Sequence, residues 1–351
     1  MKLCIIFPKF SRKPIGGFKI LYQYANILAK DHEVYILYIN KDTFKKYWIP
    51  SEIKNVANEI MTFVEPKWFD LNKEIKKITY NTKNIRKIYK DFDRIICTSV
   101  DTVMPSFSME TKAKRIYFIQ GYENWACSNE YLYNTYKLCD KNIVISNWLK
   151  NIVSTYSNNV PMVLKNPINI NEYKVIQDYH NRKEHTIALL YHDNPDKGFE
   201  YAYDVINRLK KKYDDLKIYM FGTTKPNMKL PKWIKYEYRA SQQKTIEIYN
   251  KIQIFLCATI KEGYGLTGLE AMACGAALVS TRYDGVLEYA IDGYNSLLAP
   301  IYDVEKLTNN VIELIENPSL RYELIENALE SVKRLSVEKQ AEKLENIIKE
   351  L

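Results

Sequence analysis

Cysteine and histidine are scarce, with six and four residues in a chain of 351. Cys4, Cys97, Cys127, Cys139, Cys257 and Cys274 form no CxxC pair, and His32, His180, His185 and His192 form no HExxH. A disulfide framework and a structural zinc site are not expected; the thiols read as buried and free, as in a reducing compartment. Long apolar runs are missing too. None approaches the roughly 18–20 residues a membrane-spanning helix needs. The apolar stretch behind Met1-Lys2 is too short for the core of a signal peptide. No GxGxxG follows that stretch, which argues against a plain dinucleotide-dependent dehydrogenase. The expectation is a cytoplasmic protein, at most peripheral on the inner face of a membrane.

The length suggests about two domains. Apolar residues at 46% and charged residues at 26% are the mix of a globular chain. The 29 tyrosines read as compositional bias and carry no functional inference. Charge is distributed unevenly. Residues 1–165 hold 26 Lys and Arg against 15 Asp and Glu, whereas residues 166–351 hold 25 against 27. A basic first half suits an anionic partner such as a phosphorylated substrate or a phospholipid surface. The densest basic stretch is 71–90, where Lys73, Lys76, Lys77, Lys83, Arg86, Lys87 and Lys90 alternate with Leu71, Ile75, Ile78, Ile85 and Ile88. The i,i+3 isoleucine pairs predict one or two amphipathic helices, either a solvated surface face or an interfacial helix on an anionic membrane. No nucleic-acid-binding motif accompanies this charge.

Short apolar runs alternate with helical periodicity. Strands are expected at Lys2–Phe7, Val34–Ile39, Arg94–Ser99, Arg115–Ile119 and Asn142–Ser146, with a helix at Phe18–Lys30. The pattern restarts after Asn166-Pro167. Strands are expected at His185–Tyr191, Leu216–Phe221, Ile252–Ala258 and Ala276–Ser280, and helices at Phe199–Lys211, Gln243–Lys251 and Leu266–Cys274. Helices near 303–316, 319–333 and 336–350 close the chain. The expected fold is α/β, with two Rossmann-like, doubly wound parallel-sheet domains facing a cleft. The boundaries expected are 1–166, a linker at 167–183, a second domain at 184–335, and a last helix at 336–351 that crosses back to the first domain.

In such sheets, ligands bind beyond the carboxyl ends of the strands. The informative loop there is Glu262-Gly263-Tyr264-Gly265-Leu266-Thr267-Gly268-Leu269-Glu270. Its glycines leave backbone N–H groups at a helix start, which suits phosphate. A carboxylate at each end can accept hydrogen bonds from sugar hydroxyls. Together these outline a nucleotide sugar. Asp91-Phe92-Asp93 has the look of a metal-binding DxD, but it precedes a strand and so points away from such a site.

The full string EGYGLTGLEAMACGAALV resembles the E-x7-E signature of retaining GT-B glycosyltransferases of family 4, polysaccharide-assembly enzymes among them. Pro14-Ile15-Gly16-Gly17-Phe18, His32-Glu33-Val34, Ile143–Ser146 with Trp148-Leu149, Asn166-Pro167-Ile168 and Asp196-Lys197-Gly198 agree with it in order and spacing. The resemblance implies a retaining, metal-independent hexosyltransferase-like enzyme without a cofactor, using a nucleotide-diphosphate sugar, UDP- or GDP-linked. The implied acceptor is a glycan or a lipid-linked precursor, as in capsule or lipopolysaccharide assembly. It implies that Glu270 holds the ribose and Glu262 contacts the transferred sugar. The amides of Tyr264, Gly265, Leu266 and Thr267, beside Gly263, cradle the diphosphate together with Gly16 and Gly17. Lys197 neutralises the leaving diphosphate. Two positions depart from the pattern: Tyr191, with His192 beside it, stands where relatives carry Arg, and Gln120 stands where they carry a sugar-contacting His. Two other readings remain: a sugar-nucleotide epimerase of the same architecture, and a non-catalytic nucleotide-sugar-binding subunit.

Overall fold

The computed structural model describes residues 1–40, 48, 50–80 and 85–351, the side chains of residues 85 and 86 excepted. The chain divides into two compact units, residues 1–165 with 337–351, and residues 166–336.

The first unit alternates strand and helix: β1 (Lys2–Phe7), α1 (Gly16–Leu28), β2 (Glu33–Tyr38), α2 (Ser51–Val64), β3 (Lys76–Thr79), α3 (Ile85–Lys90), β4 (Arg94–Cys97), α4 (Val100–Phe107), β5 (Lys114–Ile119), α5 (Asn129–Leu138), β6 (Lys141–Val144), α6 (Asn147–Tyr156) and β7 (Met162–Val163). The strands pair in parallel in the order β3-β2-β1-β4-β5-β6-β7. Central strands of such a sheet are covered on both faces, which is why β1 reads as an unbroken apolar run. Leu3, Cys4, Ile5, Ile6 and Phe7 are all buried. Several tyrosines belong to this core. The Tyr22 ring stacks on Phe7 at 4.9 Å, and its hydroxyl meets that of Tyr38 at 2.9 Å.

Of the one or two amphipathic helices expected across residues 71–90, Ile85–Lys90 is helical as α3, whereas the stretch at 76–79 is not. Lys76–Thr79 is an edge strand paired with Tyr35–Tyr38, Ile78 opposite Leu37, and the buried Ile75 sits in the bend just before it. Its charges are partly spent: Lys76 Nζ lies 2.5 Å from Glu33, and Lys77 Nζ donates to the Glu65 carbonyl at 2.8 Å. Residues 81–84, Lys83 among them, lie outside the described residues. Asp91 and Asp93 are structural as well, since Asp93 accepts from the Lys2 amide at 2.7 Å and Asp91 pairs with the Lys2 ammonium.

The second unit contains β8 (Thr186–Tyr191), α7 (Phe199–Lys212), β9 (Lys217–Gly222), β10 (Ile234–Tyr238), α8 (Gln242–Lys251), β11 (Ile254–Cys257), α9 (Leu266–Ala273), β12 (Ala277–Thr281), β13 (Leu297–Ala299), α10 (Val304–Glu316) and α11 (Pro318–Lys333). Its parallel order is β10-β9-β8-β11-β12-β13. The core joins Ile187, Leu189, Ile218, Met220 and Leu256 of the sheet to Val205, Ile206, Leu209, Val311 and Leu314 of α7 and α10. Each such buried aliphatic side chain contributes roughly 1.5–3 kcal/mol.

Residues 167–183, expected as a linker, are packed into this unit. Arg182 is the reason. Its guanidinium is buried and donates to the carbonyls of Tyr249, Ile252, Gly275, Cys274 and Gln177 at 2.6–3.1 Å. All but that of Gln177 cluster at the carboxyl ends of α8 and α9, where the helix dipole favours a cation. The last helix, α12 (Val337–Lys349), belongs to the first unit: it packs on α1, and Arg94 Nε donates to the Ile348 carbonyl at 3.0 Å. Among the described residues, no helix is long and apolar enough to cross a membrane.

Candidate active site

The chemistry-bearing loops of the second unit follow the carboxyl ends of β8 and β11. One glycine brings these loops together. Gly198 has φ +64°, and a Cβ there would lie 1.8 Å from the Ala258 carbonyl oxygen. Only glycine permits that approach. The Asp196 carbonyl then accepts from the amides of Ile260 and Lys261 at 2.8 and 3.2 Å. The outcome is an ion pair between Lys197 Nζ and Glu262 Oε1 at 2.5 Å, with the two side chains 20% and 26% exposed.

Gly265 starts α9 with φ +88°. A Cβ there would meet the Tyr283 hydroxyl at 1.8 Å, and one on Gly268 would meet the Tyr289 hydroxyl at 2.5 Å. Tyr289 donates to the Gly265 carbonyl at 2.6 Å. Two buried phenols therefore hold the loop from below. On the loop's other side, Gly285 lies against Tyr264 and the Glu262 carbonyl, where a Cβ would stand 2.7 Å away. Tyr264 is itself buried beside the buried Glu288, whose charge adds to the effect of burial in raising the phenol's pKa.

The start of α9 has no side-chain cap and no acidic residue in its first turn, in contrast to the Ser, Asn or Asp caps of α5, α6, α8, α10 and α11. Its amides, Leu266 and Thr267 among them, and its dipole are thus directed at whatever sits before the helix. Glu270, half-buried one turn further on, accepts from Tyr249 at 3.4 Å and from Tyr173. Burial and the neighbouring carboxylate raise the pKa of both phenols, so they remain donors.

The Tyr191 side chain does not join this group as expected. The Tyr191 ring is in the core, edge-on to Phe199 at 4.6 Å and to Tyr236 at 5.8 Å. Its strand position is adjacent to the site, but its side chain points into the apolar layer. His192 Nδ1 accepts from the Asn194 amide at 2.9 Å and so shapes the turn that leads to Lys197.

In the first unit, Gly16 and Gly17 open α1, again without a side-chain cap or an acidic residue in the first turn. Gln120, after β5, lies against Gly17: a Cβ there would be 2.8 Å from Gln120 Oε1. That oxygen is buried and, among the described residues, has no hydrogen-bond partner. Glu123 escaped sequence reasoning. Its Oε2 accepts from the Val100 amide at 2.7 Å and from Tyr117 at 3.2 Å, and burial raises its pKa to about 7. The supporting phenols Tyr173, Tyr249, Tyr283 and Tyr289, and the Arg182 clamp, also lay beyond sequence reasoning, because each acts on residues distant in the chain.

Residues 175–331 match the family described as Glycosyl transferases group 1. An uncharacterized glycosyltransferase of Methanocaldococcus jannaschii is 28% identical over 221 residues, 60% of each chain. The N,N'-diacetylbacillosaminyl-diphospho-undecaprenol alpha-1,3-N-acetylgalactosaminyltransferase of Campylobacter jejuni is 31% identical over 26% of this chain and 24% of its own. The matches thus span from about a quarter to three fifths of these relatives. Among solved structures, sucrose-phosphate synthase of Thermosynechococcus elongatus aligns with a TM-score of 0.77 at 13% identity, covering 99% of this chain and 98% of its own. Anabaena HepE in complex with UDP-glucose aligns over the whole of both chains, with a TM-score of 0.74 at 15% identity. These likenesses establish the fold, the two-sheet GT-B architecture. The family match falls within the second unit, residues 166–336.

Proposed function

We propose that the protein transfers a sugar from a nucleotide-diphosphate donor, UDP- or GDP-linked, to a glycan or lipid-linked acceptor, with retention at the anomeric carbon. The observation that carries this reading is the Lys197–Glu262 pair set before the uncapped start of α9, with Glu270 held one turn on by two phenols. The diphosphate takes the place before the helix, bound by its amides and by Lys197. Glu270, oriented by Tyr249 and Tyr173, accepts from the ribose hydroxyls. Glu262 orients Lys197 and reaches the transferred sugar. The HepE structure, which holds UDP-glucose on the same fold, supports this donor class.

In the reaction, the bond from the anomeric carbon to the diphosphate oxygen breaks. The acceptor oxygen bonds to that carbon from the same face, and its proton passes to the departing phosphate oxygen. Negative charge develops on that phosphate. Lys197 and the α9 amides are fixed where it grows, and such preorganised groups lower the barrier at that point. They supply the positive charge a metal would otherwise bring, so transfer proceeds without one. Gln120 offers its buried Oε1, without a hydrogen-bond partner among the described residues, to a hydroxyl of the acceptor.

The test is to incubate the protein with UDP- and GDP-sugars and candidate acceptors in the presence of EDTA, reading the anomeric configuration of the product by NMR. Retained configuration, undiminished by EDTA and lost in Glu270→Ala, is the expected result. An inverted product refutes the same-face mechanism. Conversion of the donor to an epimer without any acceptor refutes transfer.

A further inference from the structure

The second unit has a basic hollow at the end of its sheet away from the donor loops. Lys217 opens β9, Lys183 precedes β8, Lys232 and Lys235 flank the start of β10, and Lys210 comes from α7. With Trp233 they line a space of about 350 Å³. The Lys197 and Glu262 loops follow the carboxyl ends of β8 and β11, whereas this hollow lies at the amino ends of β8, β9 and β10. A six-residue strand separates the two ends by roughly 20 Å.

Residues 166–351 hold 25 basic and 27 acidic groups, so an excess of lysine here runs against the balance of its half of the chain. Asp214 and Asp215 line the hollow too, two carboxylates against five ammonium groups. Asp215 is engaged with His185 Nδ1 at 2.6 Å, and the Asp214 carbonyl accepts from Lys210. Among the described residues, none of the five ammonium groups makes an ion pair within 4 Å. Register places Lys235 opposite Tyr219, so Lys217 and Lys235 project from one face of neighbouring strands. Repulsion from Lys183 and Lys235 lowers the pKa of Lys217. Like charges gathered in a concave site raise the local potential and draw an anion of matching charge.

We propose that this hollow binds a phosphate-bearing anion, a di- or triphosphate group, at a site separate from the donor loop. Several ammonium groups suit several phosphate oxygens, each acting as a point charge on a flexible stem. Trp233 gives the hollow an apolar wall, with Lys210 Nζ 5.9 Å from its ring.

The test uses pyrophosphate as the probe, titrated by calorimetry into a Lys197→Ala protein so that the donor loop contributes least. Binding is expected to persist there and to weaken at least tenfold, the scale of one charge-assisted hydrogen bond, when Lys217→Gln and Lys235→Gln are added. In a parallel arm, the protein with and without Lys217→Gln and Lys235→Gln is sedimented with phosphatidylglycerol and phosphatidylcholine vesicles. Weakening in the calorimetric arm alone identifies a soluble phosphate as the source. Loss of binding to anionic vesicles alone identifies a lipid headgroup. No difference between lysine and glutamine proteins in either arm overturns the proposal. Neither readout uses sugar transfer, so the outcome is independent of the proposed reaction; the two glutamine substitutions should leave that activity unchanged.

Discussion

Replacing Gly265 with alanine should test whether the donor loop is held by the phenols beneath it. Two costs add. The residue sits at φ +88°, and an L side chain in left-handed backbone costs about 1–2 kcal/mol. The new Cβ would also stand 1.8 Å from the hydroxyl of the buried Tyr283. Forcing a methyl group into such a core costs about 1–3 kcal/mol. The expected loss is therefore about 2–5 kcal/mol in urea denaturation. Tyr283→Phe alone removes the hydroxyl, whose contact with Tyr289 is long at 3.4 Å, and should cost no more than about 1 kcal/mol. In the double variant the hydroxyl clash is gone while the backbone cost remains. The pair should couple favourably by about 1 kcal/mol or more. Donor binding should follow the same order, worst in the alanine variant and partly restored in the double variant. Additivity of the two substitutions, within about 0.5 kcal/mol, would refute the claim that the phenol sets the loop's position.

Three further outcomes are expected. Arg182→Met strips five carbonyls of their donor and unties residues 177–182 from the ends of α8 and α9; it should cost about 3–5 kcal/mol, and a loss under about 1 kcal/mol in thermal or urea unfolding would contradict the clamp. Burial raises Glu123 from 4.5 to about 7, so the unfolded chain releases that proton first and stability falls as pH rises from 4.5 to 7. That decline is worth about 3 kcal/mol, and Glu123→Gln should flatten it; an unchanged pH profile of stability would exclude burial of this carboxyl as its cause. Lys197→Ala should lower kcat about 100- to 1,000-fold with a smaller change in the donor KM, as for a group acting mainly on developing charge; a rise in KM at unchanged kcat would reassign the lysine to ground-state binding.

Much of this was legible in the chain because of how parallel sheets are covered. Central strands such as β1, β8 and β12 are buried on both faces and stand out as apolar runs between helical periods. Edge strands carry no such mark. In β10, Ile234–Tyr238 alternates lysine and glutamate with aromatics, and β13 is only three residues long. Around β3, the spacing of Ile75 and Ile78 imitates a helix, while pairing with β2 makes Lys76–Thr79 a strand.

The site divides in the same manner. Gly198 and Gly265 stand where a close approach or left-handed backbone requires glycine, so the loops around Lys197 and Glu262 could be read locally. What holds them could not. Tyr283, Tyr289, Tyr173 and Tyr249 act through contacts that a tyrosine-rich chain does not distinguish from packing. Tyr191 shows the converse: its place at the carboxyl end of β8 is right for a ligand contact, yet tertiary packing turns the ring into the core. Glu123 becomes unusual only through its burial beside Val100 and Tyr117, which no local pattern announces.

The most direct measurement of the central claim is a thermal-shift titration of the protein and its Glu270→Ala variant with UDP- and GDP-sugars. A ligand at 100 times its dissociation constant adds about 2.7 kcal/mol of stability. The account predicts that one nucleotide class stabilises the protein by about this amount and leaves Glu270→Ala unmoved. Equal stabilisation of both proteins, or of neither by any nucleotide sugar, would contradict the placement of the donor at the start of α9.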